Sequence, residues 1–156
     1  MNRLLTTSGL ASALLVSGIA QAREVTLQAD LTDYSGNDAY LAVYLTNAQG
    51  QYQQTLWVAG KKAKYYRHLT DWARGSGLKT SEFDGLTGAS VGSGGTLRIS
   101  AEVADNLIDA GYQIRIDSAV EDHRDVRADV VVPLTRDGAG KPVSGNGYVQ
   151  SLRYDL

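Results

Sequence analysis

Beyond its first two dozen residues the chain alternates apolar and polar positions with a period of two, and it breaks that rhythm once. Val25, Leu27, Ala29 and Leu31 share one side of an extended segment, with Glu24, Thr26, Gln28 and Asp30 on the other, as in a half-buried strand. Leu41, Val43 and Leu45 predict a second strand, and Asn47-Ala-Gln-Gly50 a turn into a third, Tyr52 to Val58. Leu97, Ile99, Ala101 and Val103 form the inner row of a fourth, with Arg98, Ser100 and Glu102 outside. Tyr112, Ile114 and Ile116 mark the next, then Val126, Ala128, Val130 and Val132. Pro133 lacks a backbone donor, so this strand is expected to end there or to lie at a sheet edge. Asp137-Gly-Ala-Gly-Lys-Pro142 reads as a loop before a last alternating stretch, Tyr148 to Leu156. Seven strands with one apolar row each predict an all-β fold, an antiparallel β-sandwich of immunoglobulin-like or transthyretin-like topology.

The interruption is Ala63 to Arg74. Tyr65, Leu69, Trp72 and Ala73 recur at helical spacing, and Gly75-Ser-Gly77 follows as a stop signal. Tyr66 falls off that stripe and is expected to be exposed. Trp57 is expected on the strand face opposite Leu56 and Val58, packed against the helix. The helix lies in one long connection, about residues 60 to 95, and connections of that length in a small domain are commonly functional.

The N-terminal segment belongs to targeting rather than to the fold. Arg3 precedes an apolar stretch from Leu4 to Ile19, and Ala20-Gln21-Ala22 has the small-x-small form that signal peptidase cuts. The expected product is an exported, periplasmic chain beginning at Arg23, without direct membrane insertion, forming a single domain over residues 23–156. Without Arg3 it carries 14 basic and 17 acidic side chains, a net charge of −3, which gives no footing for nucleic acid. The chain has no cysteine, so disulfides, iron–sulfur clusters, thiolate zinc and c-type haem attachment are excluded.

Within the long connection stands Asp84-Gly-Leu-Thr-Gly-Ala-Ser90. This heptapeptide resembles the recognition motif of bacterial flavin transferases, D-G-x-[S/T]-G-A-[T/S]. The resemblance implies that FMN, taken from FAD, is esterified through its phosphate to the Ser90 hydroxyl. Asp84 and Thr87 would be recognition features, Gly85 and Gly88 would supply backbone freedom, and Ala89 would keep the approach uncrowded. The family usually places Thr at the acceptor position, and this chain has Ser. The plain alternative is a turn in which Asp84 and Thr87 act as caps.

Other residues join the candidate site by proximity in sequence. Gly92-Ser-Gly-Gly95 either offers backbone N–H groups to a phosphodiester or forms the turn before the fourth strand. Lys61, Lys62, Lys64 and Arg67 either offset phosphate and reduced-flavin charge or form a solvated basic face. Of the aromatics, Tyr66 is the candidate to meet a flavin ring, while Tyr65 and Trp72 are expected in the core. His123, in Glu121-Asp-His-Arg-Asp125, is expected at a polar hairpin tip rather than in a metal site. Neither a Ser/His/Asp set nor a carboxylate pair for hydrolysis stands out, so an electron carrier is favoured over an enzyme with its own turnover.

Tyr52-Gln-Gln-Thr-Leu-Trp57, Gly60-Lys-Lys-Ala-Lys-Tyr65, Trp72 and the heptapeptide together resemble a family of predicted periplasmic proteins grouped as a domain of unknown function. That resemblance implies the company of a periplasmic flavin transferase and a PepSY-type membrane reductase, often near iron-uptake functions. The reading is a periplasmic electron-transfer protein with covalent FMN at Ser90. The alternatives are a flavin-free accessory module docking on a membrane partner, and a lectin-like binder using exposed tyrosines.

Overall fold

The structure is a computed structural model, and it describes residues 21–156. The targeting segment therefore lies outside the described residues, apart from Gln21 and Ala22. Nine strands form two sheets. They are β1 (Ala22–Leu31), β2 (Ala39–Thr46), β3 (Tyr52–Ala59), β4 (Thr87–Gly88), β5 (Thr96–Ala104), β6 (Gln113–Val120), β7 (Asp125–Pro133), β8 (Val143–Ser144) and β9 (Val149–Asp155). One sheet runs β5-β1-β9-β8 and the other β4-β3-β2-β6-β7. The seven strands expected from alternation are the seven long ones. The two-residue strands β4 and β8 are too short to leave a periodic signal. Pro133 ends β7, which lies at the edge of the five-stranded sheet, as its missing donor requires.

Between the sheets lies the main core. Val25 and Leu27 of β1, Leu41 and Leu45 of β2, Ile114 and Ile116 of β6, and Leu152 and Tyr154 of β9 all meet there, at most 4% exposed. Burying each aliphatic side chain of this kind contributes roughly 1.5–3 kcal/mol. The outer side of the five-stranded sheet is covered too, which single apolar rows do not predict. Ala42, Tyr44, Val58 and Ala119 form a second core with Tyr66, Leu69 and Trp72. The central strand β2 is consequently buried on both faces along nearly its whole length. A bulge in β3 puts Leu56 and Trp57 together on the inter-sheet side, leaving Val58 to the helix. Trp57 thus packs on the main core and not against the helix.

The helical segment departs from one continuous amphipathic helix. A 3₁₀ turn, Ala63–His68, is followed at Leu69 (φ −83°, ψ 74°) by a separate α-helix, α1 (Thr70–Ser76), which ends at Gly77 in the left-handed conformation (φ 65°). With three residues per turn, Tyr66, Leu69 and Trp72 share a face, whereas the α period selects Tyr65, Leu69 and Trp72. Tyr66 is accordingly buried, the reverse of the exposed position expected for it. Its hydroxyl donates to the Gly60 carbonyl at 2.6 Å, and its ring packs edge-on to Trp72 (5.6 Å) and Phe83 (5.3 Å). The length of the connection also has a physical cause. β4 pairs parallel with β3, and parallel neighbours need a crossover, here supplied by the helical segment.

One buried carboxylate fastens this layer to the sheet. Asp117 of β6 accepts hydrogen bonds from the Trp72 N–H in the first turn of α1 (2.8 Å), the Tyr44 hydroxyl (3.0 Å) and the Ala128 N–H (2.9 Å). Ala128 has φ 44° and lies where the β6–β7 register shifts, so the carboxylate also satisfies a bulge. Burial pushes the Asp117 carboxyl above the usual carboxylate range, against the pull of these three donors. Taken alone, this group favours folding most at acid pH, and its contribution is lost as pH rises through the raised folded value.

Two substitutions test the layer. Trp72→Ala removes a fully buried ring and its 2.9 Å bond to the Thr55 hydroxyl, and it is expected to lower unfolding free energy by about 3–5 kcal/mol in urea titration. Asp117→Ala leaves three donors without their acceptor and is expected to lose about 3–5 kcal/mol by the same measurement.

Candidate functional site

The position of Ser90 follows from its neighbour. Val91 is buried, and its N–H and C=O bond to Ala39, itself fully buried, at 3.0 and 2.7 Å. Side chains alternate across such an extended bridge, so anchoring Ala39 and Val91 inward turns Asp38, Tyr40 and Ser90 to the other side. There the Ser90 hydroxyl donates to Asp38 Oδ2 at 3.1 Å.

Asp38, Tyr40 and Ser90 line a cleft of about 750 Å³, within the size range of small-molecule sites. Lys62 and, from the 3₁₀ turn that follows it, Tyr65, Arg67 and His68 form a second wall, and Glu121, Asp122, His123 and Asp125 of the β6–β7 hairpin a third. Two contacts join those walls: the Tyr65 hydroxyl donates to Glu121 at 2.8 Å, and His68 Nδ1 lies 3.0 Å from Asp125. The bond to Glu121 raises the Tyr65 phenol above its ordinary value. Tyr40 meets Tyr65 edge-on, ring centroids 5.7 Å apart, and its hydroxyl accepts the Lys62 N–H at 3.1 Å. The Tyr40 ring lies directly over Gly60, where a β-carbon has no room. The cleft therefore offers one half-buried hydroxyl, two exposed-edge phenols, two permanent cations and a majority of carboxylates.

Of the sequence-predicted residues, the structure brings Ser90, Lys62 and Arg67 together in the cleft. Lys61 and Lys64 are exposed outside its lining, and Lys64 Nζ lies 5.0 Å from the Tyr65 ring centroid. Tyr66 lies beneath it in the second core, so Tyr65 takes the place expected of Tyr66 as the accessible aromatic. The residues sequence reasoning missed are Asp38, Tyr40, His68 and the acidic side chains of the hairpin. Asp38 and Tyr40 precede and open a strand far from the motif in sequence, and nothing in local periodicity links them to it.

The heptapeptide is pinned rather than loose. Leu86 and Gly88 carbonyls accept the Val58 and Gly60 N–H groups, both at 2.8 Å. Gly88 is glycine for room and not for flexibility, since a β-carbon there would sit 2.6 Å from Trp57 Cζ2. Gly85 does use its freedom, with φ 75° in the turn before β4. Asp84 and Thr87 are exposed, and neither side chain makes a hydrogen bond among the described residues, so turn capping does not occupy them. At Gly92–Gly95 the N–H groups of Gly94 and Gly95 are taken by the Thr32 and Gly92 carbonyls, and the Ser93 hydroxyl accepts the Tyr34 N–H. That segment is the turn into β5, with two of its amides already spent on backbone. Among the described residues no group of three or more metal-ligating side chains is assembled, and His123 sits at the hairpin tip.

The contact at Gly88 gives a local test. Gly88→Ala forces Trp57 from its place at the edge of the main core and is expected to lower stability by about 1–3 kcal/mol, read by thermal or urea unfolding with tryptophan fluorescence.

No curated protein and no solved structure matches the chain. Among the described residues no helix is long and apolar enough to cross a membrane. A family described as "Predicted periplasmic protein (DUF2271)" matches residues 22–151, nearly all of the folded region. By that match the chain belongs to the DUF2271 family of predicted periplasmic proteins.

Proposed function

We propose that this protein is a periplasmic electron carrier whose Ser90 hydroxyl bears FMN through a phosphodiester. The observation that carries the proposal is the coincidence of motif and cleft: the acceptor serine of a flavinylation-like sequence opens onto a space of about 750 Å³ lined by Tyr40, Tyr65, Lys62 and Arg67. The residues present suit the group. Tyr40 and Tyr65 supply aromatic edges for an isoalloxazine ring, and Lys62 and Arg67 supply charge for the phosphate and for reduced flavin. The exposed side chains of Asp84 and Thr87, which make no hydrogen bond among the described residues, are available for recognition by a transferase. Bound flavin supplies one- and two-electron exchange, for which this chain has no thiol or metal cluster among its described residues. The donor implied by the family resemblance is a PepSY-type membrane reductase, and the acceptor a soluble oxidant such as a ferric chelate. Export with cleavage after Ala22 would bring the chain to the compartment of the transferase.

A flavin-free binding module is the second reading. It is favoured by the acidic side chains Asp38, Glu121, Asp122 and Asp125, which outnumber Lys62 and Arg67 around the cleft.

Co-expression with a periplasmic flavin transferase and FAD distinguishes the two. The expected product is yellow, with an intact mass raised by one FMN and the adduct mapped to Ser90. Ser90→Ala is expected to fold and stay colourless, Ser90→Thr to be labelled, and Asp84→Ala to lose labelling with stability changed by less than about 0.5 kcal/mol. An unmodified Ser90, with a control substrate labelled in the same cells, would falsify the flavin assignment in favour of the binding module.

A further inference from the structure

Among the described residues Asp38 is the one side chain hydrogen-bonded to the Ser90 hydroxyl, and strand register brings the two together. They come from segments 52 positions apart, joined by the two backbone bonds between Ala39 and Val91. The acceptor hydroxyl is a poor nucleophile while it keeps its proton, and here that proton points at a carboxylate oxygen 3.1 Å away. Hydrogen-bond reach of the departing proton is the first requirement of a general base.

We propose that Asp38 is the proton acceptor for the modification of Ser90, so that the acceptor protein brings part of the catalytic machinery to its own flavinylation. This rests on the reading of Ser90 as the flavin acceptor. In the step, Ser90 Oγ forms a bond to the FMN-side phosphorus of FAD, the pyrophosphate P–O bond breaks and AMP leaves. The Ser90 proton passes to Asp38 Oδ2, and no oxidant or reductant takes part. The same geometry has a consequence after transfer. Esterified Oγ no longer donates, so the Asp38–Ser90 bond is lost and the carboxylate faces a phosphodiester anion. Asp38 therefore favours the reaction and disfavours a resting position of the phosphate against itself, which directs the new group toward the Lys62 and Arg67 wall.

Asn in place of Asp38 separates the two roles of the carboxylate, because its amide oxygen still accepts a hydrogen bond while its basicity is gone. Asp38 is exposed, so the substitution does not threaten the core. The experiment is single-turnover labelling of purified protein by a purified flavin transferase with FAD, across a range of acceptor-protein concentrations. Asp38→Asn is expected to lower the maximal labelling rate by about 100-fold, the lower range of general-base effects, with the half-saturating concentration unchanged. Asp38→Glu, which keeps a carboxylate on a longer stem, is expected to recover part of the rate. A maximal rate for Asp38→Asn within about threefold of the parent overturns the proposal, as does a change confined to the half-saturating concentration. Failure of the parent protein itself to be labelled at Ser90 overturns the flavin reading and this one with it, whereas normal labelling of both proteins overturns this one alone.

Discussion

The cleft depends on one buried carboxyl group, that of Asp117 on β6. Among the described residues Asp117 has no ion-pair partner; it is satisfied by two backbone N–H groups and a tyrosine hydroxyl drawn from three different elements. Such a carboxylate stabilises only the arrangement that delivers all of its donors at once, since each donor left unpaired in the interior costs about 1–3 kcal/mol. α1 is too short to hold its own place by helix propensity, and cooperative helices of two turns are marginal without packing. Asp117 at its first turn and Trp72 beneath it are what fix it against the sheet. Lys62 and the 3₁₀ turn that carries Tyr65, Arg67 and His68 are strung between β3 and α1, so their position follows. A second buried carboxylate, one residue beyond the Ala128 bulge on β7, repeats the device. Asp129 accepts the N–H groups of Asn146, Gly147 and Val149 and the Ser118 hydroxyl, and so ties β7 to the turn that feeds β9. In a chain without cysteine, buried carboxylates serve as the cross-links between layers.

How much of this was legible in the sequence depends on the range of the interaction. Period-two alternation located every long strand, because half-burial leaves its mark within a few residues. It located Pro133 at an edge for the same local reason. It did not show that the five-stranded sheet is covered on both sides, since small or polar residues such as Ala42 and Thr55 serve the second core and do not read as apolar rows. The helical stripe was visible, but its pitch was not. The difference between three and 3.6 residues per turn exchanges Tyr65 and Tyr66, and with them the aromatic that reaches the cleft. Asp117 and Asp129 look in sequence like ordinary outward-facing strand residues, and only the elements folded over them reveal otherwise.

The site divides along the same line. Ser90 and the heptapeptide were legible because they are contiguous. Lys62 and Arg67 were legible as a basic run, though without the structure they could not be separated from Lys61 and Lys64. Asp38, Tyr40, Glu121 and Asp125 come from two other segments and are assembled by strand register alone. The role expected of the glycines also changes. Of the two heptapeptide glycines only Gly85 uses the freedom that glycine permits, while Gly88 is there because Trp57 leaves no space. The motif is thus held by β3 on one side and by Ala39 on the other.

That rigidity bears on what attachment at Ser90 would achieve. A group tethered to a mobile tail samples a large volume, and its effective concentration at any one surface falls steeply with tether length. A group tethered to a residue pinned by paired backbone on both sides is confined to the reach of its own linker. Here the tether would start from a side chain that itself lines the cleft, together with Tyr40, Tyr65, Lys62 and Arg67. Fixing the acceptor also fixes the approach of a modifying enzyme, which must meet an extended edge segment with Thr87 and Ala89 facing solvent. If Ser90 is the acceptor, a folded acceptor of this kind would restrict modification to chains whose core has already formed. The same backbone bonds that orient Ser90 toward Asp38 exist only once Ala39 and Val91 are buried, so on the proposed reading the reactivity of the hydroxyl would be a property of the fold rather than of the heptapeptide.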